Sequence, residues 1–286
     1  MAPADLPPLP ALAGHAADAI RQAGALVVTA GAGMGVDSGL PDFRGDEGFW
    51  KAYPPYRRLG LSFADAANPE HFEGDPAFGW GFYGHRLGLY RATVPHRGFS
   101  ILRRWGERYR LPTFVVTSNV DGQFQKAGFA DDHVVEVHGS IHHLQCTTPC
   151  TGDIWENREE VPVDEVSMRA RRVPRCPRCG AVARPNILMF GDYAWIPART
   201  HAQKSRLDAW LAEQAGADRR LLVLEMGAGT AIPTIRWTSE GLGGREGARV
   251  VRINPREAQI EPPHLSIAAG ALEGLEAVDR ALAPRG

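Results

Sequence analysis

The sequence has no run of about 18 apolar residues, the length that a helix needs to cross a membrane. It also has almost no net charge, −1 over 286 residues, so a strongly basic surface for nucleic acid or anionic lipid is not expected. The first residues, Met1 to Pro8, lack the basic start of a secretory signal. We therefore expect a cytoplasmic chain with no membrane partner and no nucleic-acid partner.

Cysteine is scarce, and the four cysteines stand in two close pairs. Cys146 and Cys150 form a C-x₃-C pair, and Cys176 and Cys179 form a C-x₂-C pair. Four thiolates can complete a tetrahedral zinc shell, whereas two disulfides would be unusual in a reducing compartment. Because sulfur would fill all four positions, the predicted zinc is structural and not catalytic.

Apolar runs at regular intervals predict an α/β fold, and the apolar content of 44% is enough for a large core. The predicted strands are Ala25–Thr29, Thr113–Thr117, Val134–Val137, Arg220–Glu225 and Arg249–Ile253, and the predicted helices are Ala11–Ala23, Gly98–Arg108 and Thr200–Ala215. Two segments interrupt this alternation of strands and helices. One, from residue 43 to 97, is rich in aromatic residues and is predicted to form short helices, and the other contains the cysteines.

A glycine-rich run, Gly31 to Gly45, follows the first predicted strand. Glycine removes the Cβ that would block close approach of a ligand, and backbone N–H groups in such a turn can face a pyrophosphate. A dinucleotide is the natural ligand for this arrangement. The second half of the run adds a carboxylate, an aromatic ring and a guanidinium, Asp42, Phe43 and Arg44, which suit a reaction site.

Other strand ends carry polar side chains. Asn119 and Asp121 could hold a carboxamide or ribose hydroxyls, although an Asx-type turn is the structural alternative. His138 is a candidate general base, with a purely structural histidine as the alternative, and the nearby His142 and His143 leave a metal site open. A later glycine turn, Gly227 to Ala231, and Asn254 one strand on suit ribose or adenine contact.

These motifs, in this order, resemble those of the sirtuin family over most of the chain, and the sequence is similar to a divergent bacterial-type member. The motifs are the Gly31–Arg44 run, Thr117–Gly122, Val137-His138-Gly139, the cysteine pairs, a substrate strand at Phe190-Gly191-Asp192, Gly229-Thr230 and Ile253-Asn254.

The resemblance implies an NAD-dependent protein lysine deacylase that acts on an acyl-lysine protein or peptide and releases nicotinamide and O-acyl-ADP-ribose. It implies a Rossmann-like parallel sheet with helices on both faces, and a small lobe made of a helical module and a zinc ribbon. The implied large domain covers residues 1–45, 95–140 and 184–286, with the helical module at 46–94 and the zinc module at 141–183.

The resemblance also implies roles for individual residues. His138 would take a proton from the ribose hydroxyls, Asn119 and Asp121 would hold the ribose and the carboxamide, and Phe43 would cover the reactive carbon. The implied cofactor-binding residues are Gly31, Ala32, Gly33, Asp42, Phe43, Arg44, Ser118, Asn119, Asp121, Gly229, Thr230 and Asn254. The implied substrate-binding residues are Tyr83, Arg86, Phe190 and Gly191, and the implied zinc ligands are Cys146, Cys150, Cys176 and Cys179.

The sequence departs from the family pattern at Ser118, where glutamine is usual, at Ala231, where serine is usual, and after Asp192, where Tyr193-Ala194-Trp195 stands. These departures predict altered cofactor or substrate contacts. Tyr83 and Arg86 resemble the Tyr-x-x-Arg pair of sirtuins that accept succinyl or malonyl lysine. The alternative is a helix face with a packed tyrosine and a solvated arginine.

Other acceptors would change the activity while keeping the NAD chemistry. Water as acceptor would give an NAD glycohydrolase, and a protein side chain would give an ADP-ribosyltransferase. A module that binds NAD or ADP-ribose without turnover is a further alternative. The presence of His138 favours deacylation, since neither alternative acceptor requires activation of a ribose hydroxyl.

Overall fold

The computed structural model describes residues 7–42 and 45–283. The helices are α1 Leu9–Gln22, α2 Gly45–Ala52, α3 Pro54–Arg58, α4 Phe63–Ala66, α5 His71–Gly74, α6 Pro76–Ala92, α7 Arg97–Arg108, α8 Gln123–Lys126, α9 Ala198–Gly216, α10 Thr234–Gly243 and α11 Ala271–Leu282. The strands are β1 Ala25–Ala30, β2 Thr113–Thr117, β3 Val134–Glu136, β4 Gly139–Cys146, β5 Trp155–Glu156, β6 Val163–Asp164, β7 Arg169–Ala170, β8 Ala183–Ile187, β9 Leu221–Met226, β10 Arg249–Ile253 and β11 Leu265–Ile267.

Six strands form one parallel sheet in the order β11-β10-β9-β1-β2-β3. Numbered by their own sequence order, these strands run 3-2-1-4-5-6 across the sheet, the order of a Rossmann fold. The strand order reverses between β1 and β9, where Val28 pairs with Val115 on one side and with Leu224 on the other. Ligands of open α/β sheets bind at such a switch point, at the carboxyl ends of the strands.

Helices cover both faces of this sheet. On one face α1, α7 and α11 pack over the side chains of alternate strand residues such as Leu26 and Leu224. On the other face α9 and α10 pack over the intervening residues, such as Val27 and Val223. A sheet buried on both faces needs uninterrupted apolar strands, and β1 is buried at every position. The predicted Rossmann-like sheet is therefore confirmed.

A second core lies outside the six-stranded sheet. It joins aromatic residues of α2 to α6, such as Phe49 and Trp80, to residues of the cysteine segment, residues 141–183, such as Leu144 and Met168. A three-stranded antiparallel sheet, β5-β4-β8, and the hairpin β6-β7 belong to this region. We propose that the two insertions form one small lobe, with β4 and β8 included, although both strands cross the boundaries expected at 140/141 and 183/184.

Several details differ from the sequence-based predictions. The run after β1 forms a 3₁₀ helix, Ala32–Ser38, in place of an open turn. The predicted substrate strand at residues 190–192 is wrong, because β8 ends at Ile187 and Phe190 and Gly191 form a turn. The sequence analysis also left β11, α10 and α11 unassigned. Within the described residues, no helix has both the length and the apolar character needed to cross a bilayer.

Candidate active site

Two glycine loops meet at the switch point, one after β1 and one after β9. Gly33 N donates to Gly227 O at 3.1 Å, and Gly31 N donates to Met226 O at 3.0 Å. A Cβ on Gly33 would lie 2.6 Å from Gly227 Cα, and a Cβ on Gly227 would lie 2.4 Å from Gly33 C. Two of the expected phosphate-facing N–H groups are thus used inside the protein. The glycines here allow the loops to approach each other closely.

A cleft of about 540 Å³ opens above these loops, a volume within the usual range for ligand sites. The carboxyl ends of β1, β2 and β9 and the residues after β3 all contribute to its wall. Of the predicted site residues, the cleft is lined by Gly31, Ala32, Gly33, Asp42, Tyr83, Arg86, Ser118, Asn119, Asp121, His138, Phe190, Gly229 and Thr230.

Asn119 and Asp121 follow β2 on a loop that is tied to the loop after β1. Asn119 Nδ2 donates to Gly31 O at 3.1 Å, and Asp121 Oδ1 accepts a hydrogen bond from Gln123 N at 2.9 Å. The Asx-type turn is therefore present, yet both side chains also line the cleft. Burial raises the pKa of the Asp121 carboxyl to about 6, against the lowering effect of the Gln123 hydrogen bond.

His138 stands two residues after the end of β3 and lines the same cleft. Burial lowers the pKa of its imidazole below the usual 6.5, while a hydrogen bond to the Ser118 backbone opposes that shift. A lowered pKa keeps the ring neutral near pH 7, so it can accept a proton. On β4, His142 Nε2 donates to Asp121 O at 2.9 Å and holds the Asp121 loop in place.

The metal alternative for His142 and His143 finds no support in the described part of the chain. The one group of metal-ligating side chains found there consists of the four cysteines. Burial, with the nearby Arg199 charge, lowers the pKa of His143 to about 4.

Tyr83 and Arg86 on α6 also line the cleft. Arg86 is 6% exposed, so the alternative of a solvated arginine is wrong. Its Nε donates to Tyr90 OH at 2.9 Å, and its guanidinium lies 5.0 Å from the Phe82 ring centre and 5.5 Å from that of Tyr83. The aromatic rings hold the cation in a fixed position on the wall.

The last residue of β8 and the segment that follows it line the cleft through residues 187–190. Asp192 fixes this segment from inside, because it forms a buried ion pair with Arg184 and accepts hydrogen bonds from Met189 N and Ala194 N, both at 3.2 Å. Phe190, 43% exposed, packs against Phe63 at 5.8 Å between ring centres. Gly191, predicted as a substrate contact, does not line the cleft.

Asn254 also does not line the cleft, and it is fully buried. Its Nδ2 donates to Ala228 O at 2.9 Å, and its Oδ1 accepts from Arg256 N and Glu257 N, both at 3.0 Å. Asn254 therefore shapes the loops after β9 and β10. Sequence reasoning missed Glu257, which lines the cleft and accepts a hydrogen bond from Thr230 Oγ1 at 2.5 Å. A carboxylate three residues after a strand-end asparagine was the available signal.

The four cysteine side chains converge, with their sulfur atoms all within 4.8 Å of one another. The Sγ atoms of Cys146 and Cys179 are 3.7 Å apart, and those of Cys150 and Cys176 are 3.6 Å apart. A disulfide needs about 2 Å, whereas a tetrahedral zinc with Zn–S bonds of about 2.3 Å places sulfurs about 3.8 Å apart. The residues fit a zinc ion, and backbone N–H groups of Cys179 and Arg178 lower the pKa of Cys176 to about 7.

Two predicted cofactor contacts, Phe43 and Arg44, lie outside the described residues.

A family model, curated relatives and a solved structure all relate this chain to Sir2 proteins. The model of the Sir2 family matches residues 31–209. NAD-dependent protein deacylase 1 of Caldanaerobacter subterraneus subsp. tengcongensis is 30% identical over 89% of this chain and 92% of its own length. The NAD-dependent protein deacylase of Thermococcus kodakarensis is 30% identical over 87% of each chain. A solved Sir2 homologue mutant in complex with ADP-ribose has a TM-score of 0.67 and 25% identity, covering 93% of this chain and 95% of that one. This chain belongs to the Sir2 family.

Proposed function

We propose that the protein is an NAD-dependent protein lysine deacylase. The observation that carries the proposal is that His138 shares one cleft with both glycine loops of the switch point and with Asn119 and Asp121. Relatives named NAD-dependent protein deacylase, each covering most of this chain, support the assignment. The Sir2 homologue bound to ADP-ribose supports a dinucleotide as the ligand of the cleft.

The proposed substrate NAD carries an activated bond between nicotinamide and ribose. Attack of the acyl-lysine amide oxygen on the ribose carbon would break that bond and release nicotinamide. Attack of a ribose hydroxyl on the acyl carbon, followed by addition of water, would then give deacylated lysine and O-acyl-ADP-ribose. Asn119 and Asp121 would orient the ribose and the carboxamide. Neutral His138 would accept a proton from a ribose hydroxyl, which allows that oxygen to attack the acyl carbon. Glu257, next to Thr230, would accept hydrogen bonds from the hydroxyls of the second ribose.

The cysteine site has a structural role in this proposal, since four sulfurs leave no position for substrate. Cys146 at the end of β4 and the Cys176–Cys179 pair before β8 would be joined by the ion. Four thiols arranged for metal and not for disulfides suit a reducing compartment, so we propose a cytoplasmic location.

Nicotinamide release from NAD by the purified protein tests the activity. It is measured without peptide, with acetyl-lysine peptide and with succinyl-lysine peptide, and each assay is repeated with His138→Ala. We expect release to require an acyl peptide and to fall by about 10²- to 10⁴-fold in the variant, the usual contribution of a general base. The exposed His15 on α1 provides the control, and His15→Ala should match the wild type.

Peptide-independent release that survives His138→Ala would instead assign the protein as an NAD glycohydrolase or, with an ADP-ribosylated protein as product, an ADP-ribosyltransferase. Binding of NAD with no nicotinamide release under any condition would identify a non-catalytic module.

Within this activity, we propose that acyl groups with a terminal carboxylate are substrates. Arg86 supports this because a fixed, largely buried cation on the cleft wall can form charge-assisted hydrogen bonds with a carboxylate. Tyr83, which lines the same wall, can add a hydrogen bond.

Arg86→Met tests the acyl preference, because it keeps much of the side-chain volume and removes the charge. Loss of charge-assisted bonds worth about 1.5–3 kcal/mol should reduce kcat/KM for succinyl-lysine peptide at least about tenfold. The value for acetyl-lysine peptide should change by less than about threefold, because its methyl group makes no such bond. Equal losses on both peptides would refute the acidic-acyl assignment.

A further inference from the structure

Two loops form the wall of the cleft at the β9 and β10 end. The loop after β9 contributes Gly227 to Ile232, and the loop after β10 contributes Glu257. Neither segment belongs to a strand, although the ladder reaches the first residue of each loop, where Gly227 N donates to Ile253 O and Asn254 N donates to Ile267 O, both at 3.1 Å. The residues further along the two loops depend on other hydrogen bonds.

Arg236, in the first turn of α10, supplies three of these bonds. Its Nη1 donates to Glu257 O at 2.8 Å and to Ala228 O at 3.4 Å, and its Nη2 donates to Gln259 O at 3.4 Å. One guanidinium thus donates hydrogen bonds to backbone carbonyls of both loops. Arg236 itself is half-buried and is not among the residues that line the cleft.

The surroundings explain why this arginine bonds to carbonyls. The neighbouring carboxylates Glu225 and Glu240 are both paired with the buried Arg252, at 2.5 Å and 2.8 Å. Arg236 therefore donates its hydrogen bonds to the backbone carbonyls of the two loops. Its planar fork of donors can bridge separate carbonyls, which a lysine ammonium on a flexible stem cannot do equally well.

We infer that Arg236 is a positioning residue for dinucleotide binding, which joins the loops after β9 and β10 before the ligand arrives. This inference rests on the proposed function, because it assumes that the wall holds part of NAD. A wall that is already ordered spares the ligand the entropic cost of ordering it, and this raises affinity without contact. The effect should appear in binding of NAD and not in the chemical step.

The experiment compares Arg236→Gln and Arg236→Lys with the wild type. Calorimetry measures the Kd for ADP-ribose, and steady-state assays measure KM for NAD, KM for acyl peptide and kcat. We expect Arg236→Gln to raise the Kd and the KM for NAD about tenfold, the equivalent of one charge-assisted bond, with the KM for peptide and kcat within about twofold of wild type. Arg236→Lys should give an intermediate value, and the exposed Arg245→Gln should behave as wild type.

Hydrogen exchange of the unliganded protein separates this role from general destabilisation. In Arg236→Gln, exchange should increase in residues 227–232 and 254–260 and stay unchanged in β1 and β2. A Kd within twofold of wild type, a loss in kcat alone, or faster exchange throughout the sheet would overturn the inference.

Failure of the proposed function gives a different pattern. If the wild type binds ADP-ribose but never releases nicotinamide, the proposed activity is wrong, and the Kd values still decide the role of Arg236. If the wild type does not bind ADP-ribose, both are overturned.

Discussion

Asp121 shows a conflict between stability and function at a single residue. Its carboxyl is buried, and burial raises its pKa to about 6 from the ordinary 3.8. Between these two pH values the folded protein binds a proton that the unfolded chain has released. The free energy of unfolding therefore falls as the pH rises from about 4 to about 6, and it stays lower above that range. A carboxylate kept in such a place is typical of functional sites.

Asp121→Asn should remove the loss of stability caused by the buried carboxylate, while the amide oxygen still accepts the hydrogen bond from Gln123 N. At pH 7.5 we expect the free energy of unfolding to increase by about 1–3 kcal/mol, from the pKa difference at 1.4 kcal/mol per unit, together with a large loss of deacylase activity. At pH 4 the two proteins should be equally stable. Chemical denaturation at both pH values, beside activity assays, measures this.

The exposed Asp131→Asn provides the control and should leave both stability and activity unchanged. Equal stability of Asp121→Asn and wild type at pH 7.5 would show that the carboxylate is better solvated than its burial indicates.

The position of a single site residue was predictable where the residue follows the end of a buried strand. His138, Asn119 and Asp121 follow buried strands, and the carboxyl ends of parallel strands share one edge of a sheet. The sequence could not indicate the orientation of Asn254, because its side chain turns inward to the Ala228 carbonyl only once the loop after β9 is packed beside it. Glu257 follows Asn254 by three residues, but only the packed loop shows that it lines the cleft.

At the scale of elements, the strands of the large sheet were predictable because both faces are buried. β2 and β10 have the predicted limits, since each is an apolar run with no competing helical period. β4 and β8 were not assigned, because β4 mixes histidine and glutamine with apolar residues and β8 contains Pro185. Pairing with each other stabilises these two strands, and pairing of distant segments is not visible in either sequence alone.

Helix α11 carried a readable signal. Its buried residues include Ala271, Leu275, Val278 and Leu282, a spacing of three to four residues that defines one helical face. By contrast, the aromatic segment was predicted only as a set of short helices, because the five-residue α3 and the four-residue α4 and α5 have too few turns for their limits to be recognised. These short helices are held by the aromatic core around Phe49 and Phe82.

At the scale of the whole molecule, the helical module and the cysteine segment pack directly against each other. They share one apolar core, and α6 is tied to the cysteine segment by Trp80 Nε1, which donates to Ala183 O at 2.7 Å. Arg91 Nη1 donates to Glu159 O at 2.6 Å, and Arg169 pairs with Asp75 at 2.6 Å. The six-stranded sheet has its own two cores, one on each face.

Zinc removal should therefore loosen the small lobe as a whole and spare the large sheet. The ion would join the two ends of the cysteine segment, and its binding energy contributes directly to folding of the metal-bound part. After chelation, or in Cys176→Ser, we expect amide exchange at least about tenfold faster in both residues 141–189 and α6, with β1 and β9 unchanged. Faster exchange confined to residues 146–182 would show that the two insertions fold independently, and Ser167→Ala, outside the cysteine pairs, should match the wild type.

Because Tyr83 and Arg86 lie on α6, the same loosening should weaken binding of acyl peptide more than binding of ADP-ribose. Calorimetry on the chelated protein measures both affinities.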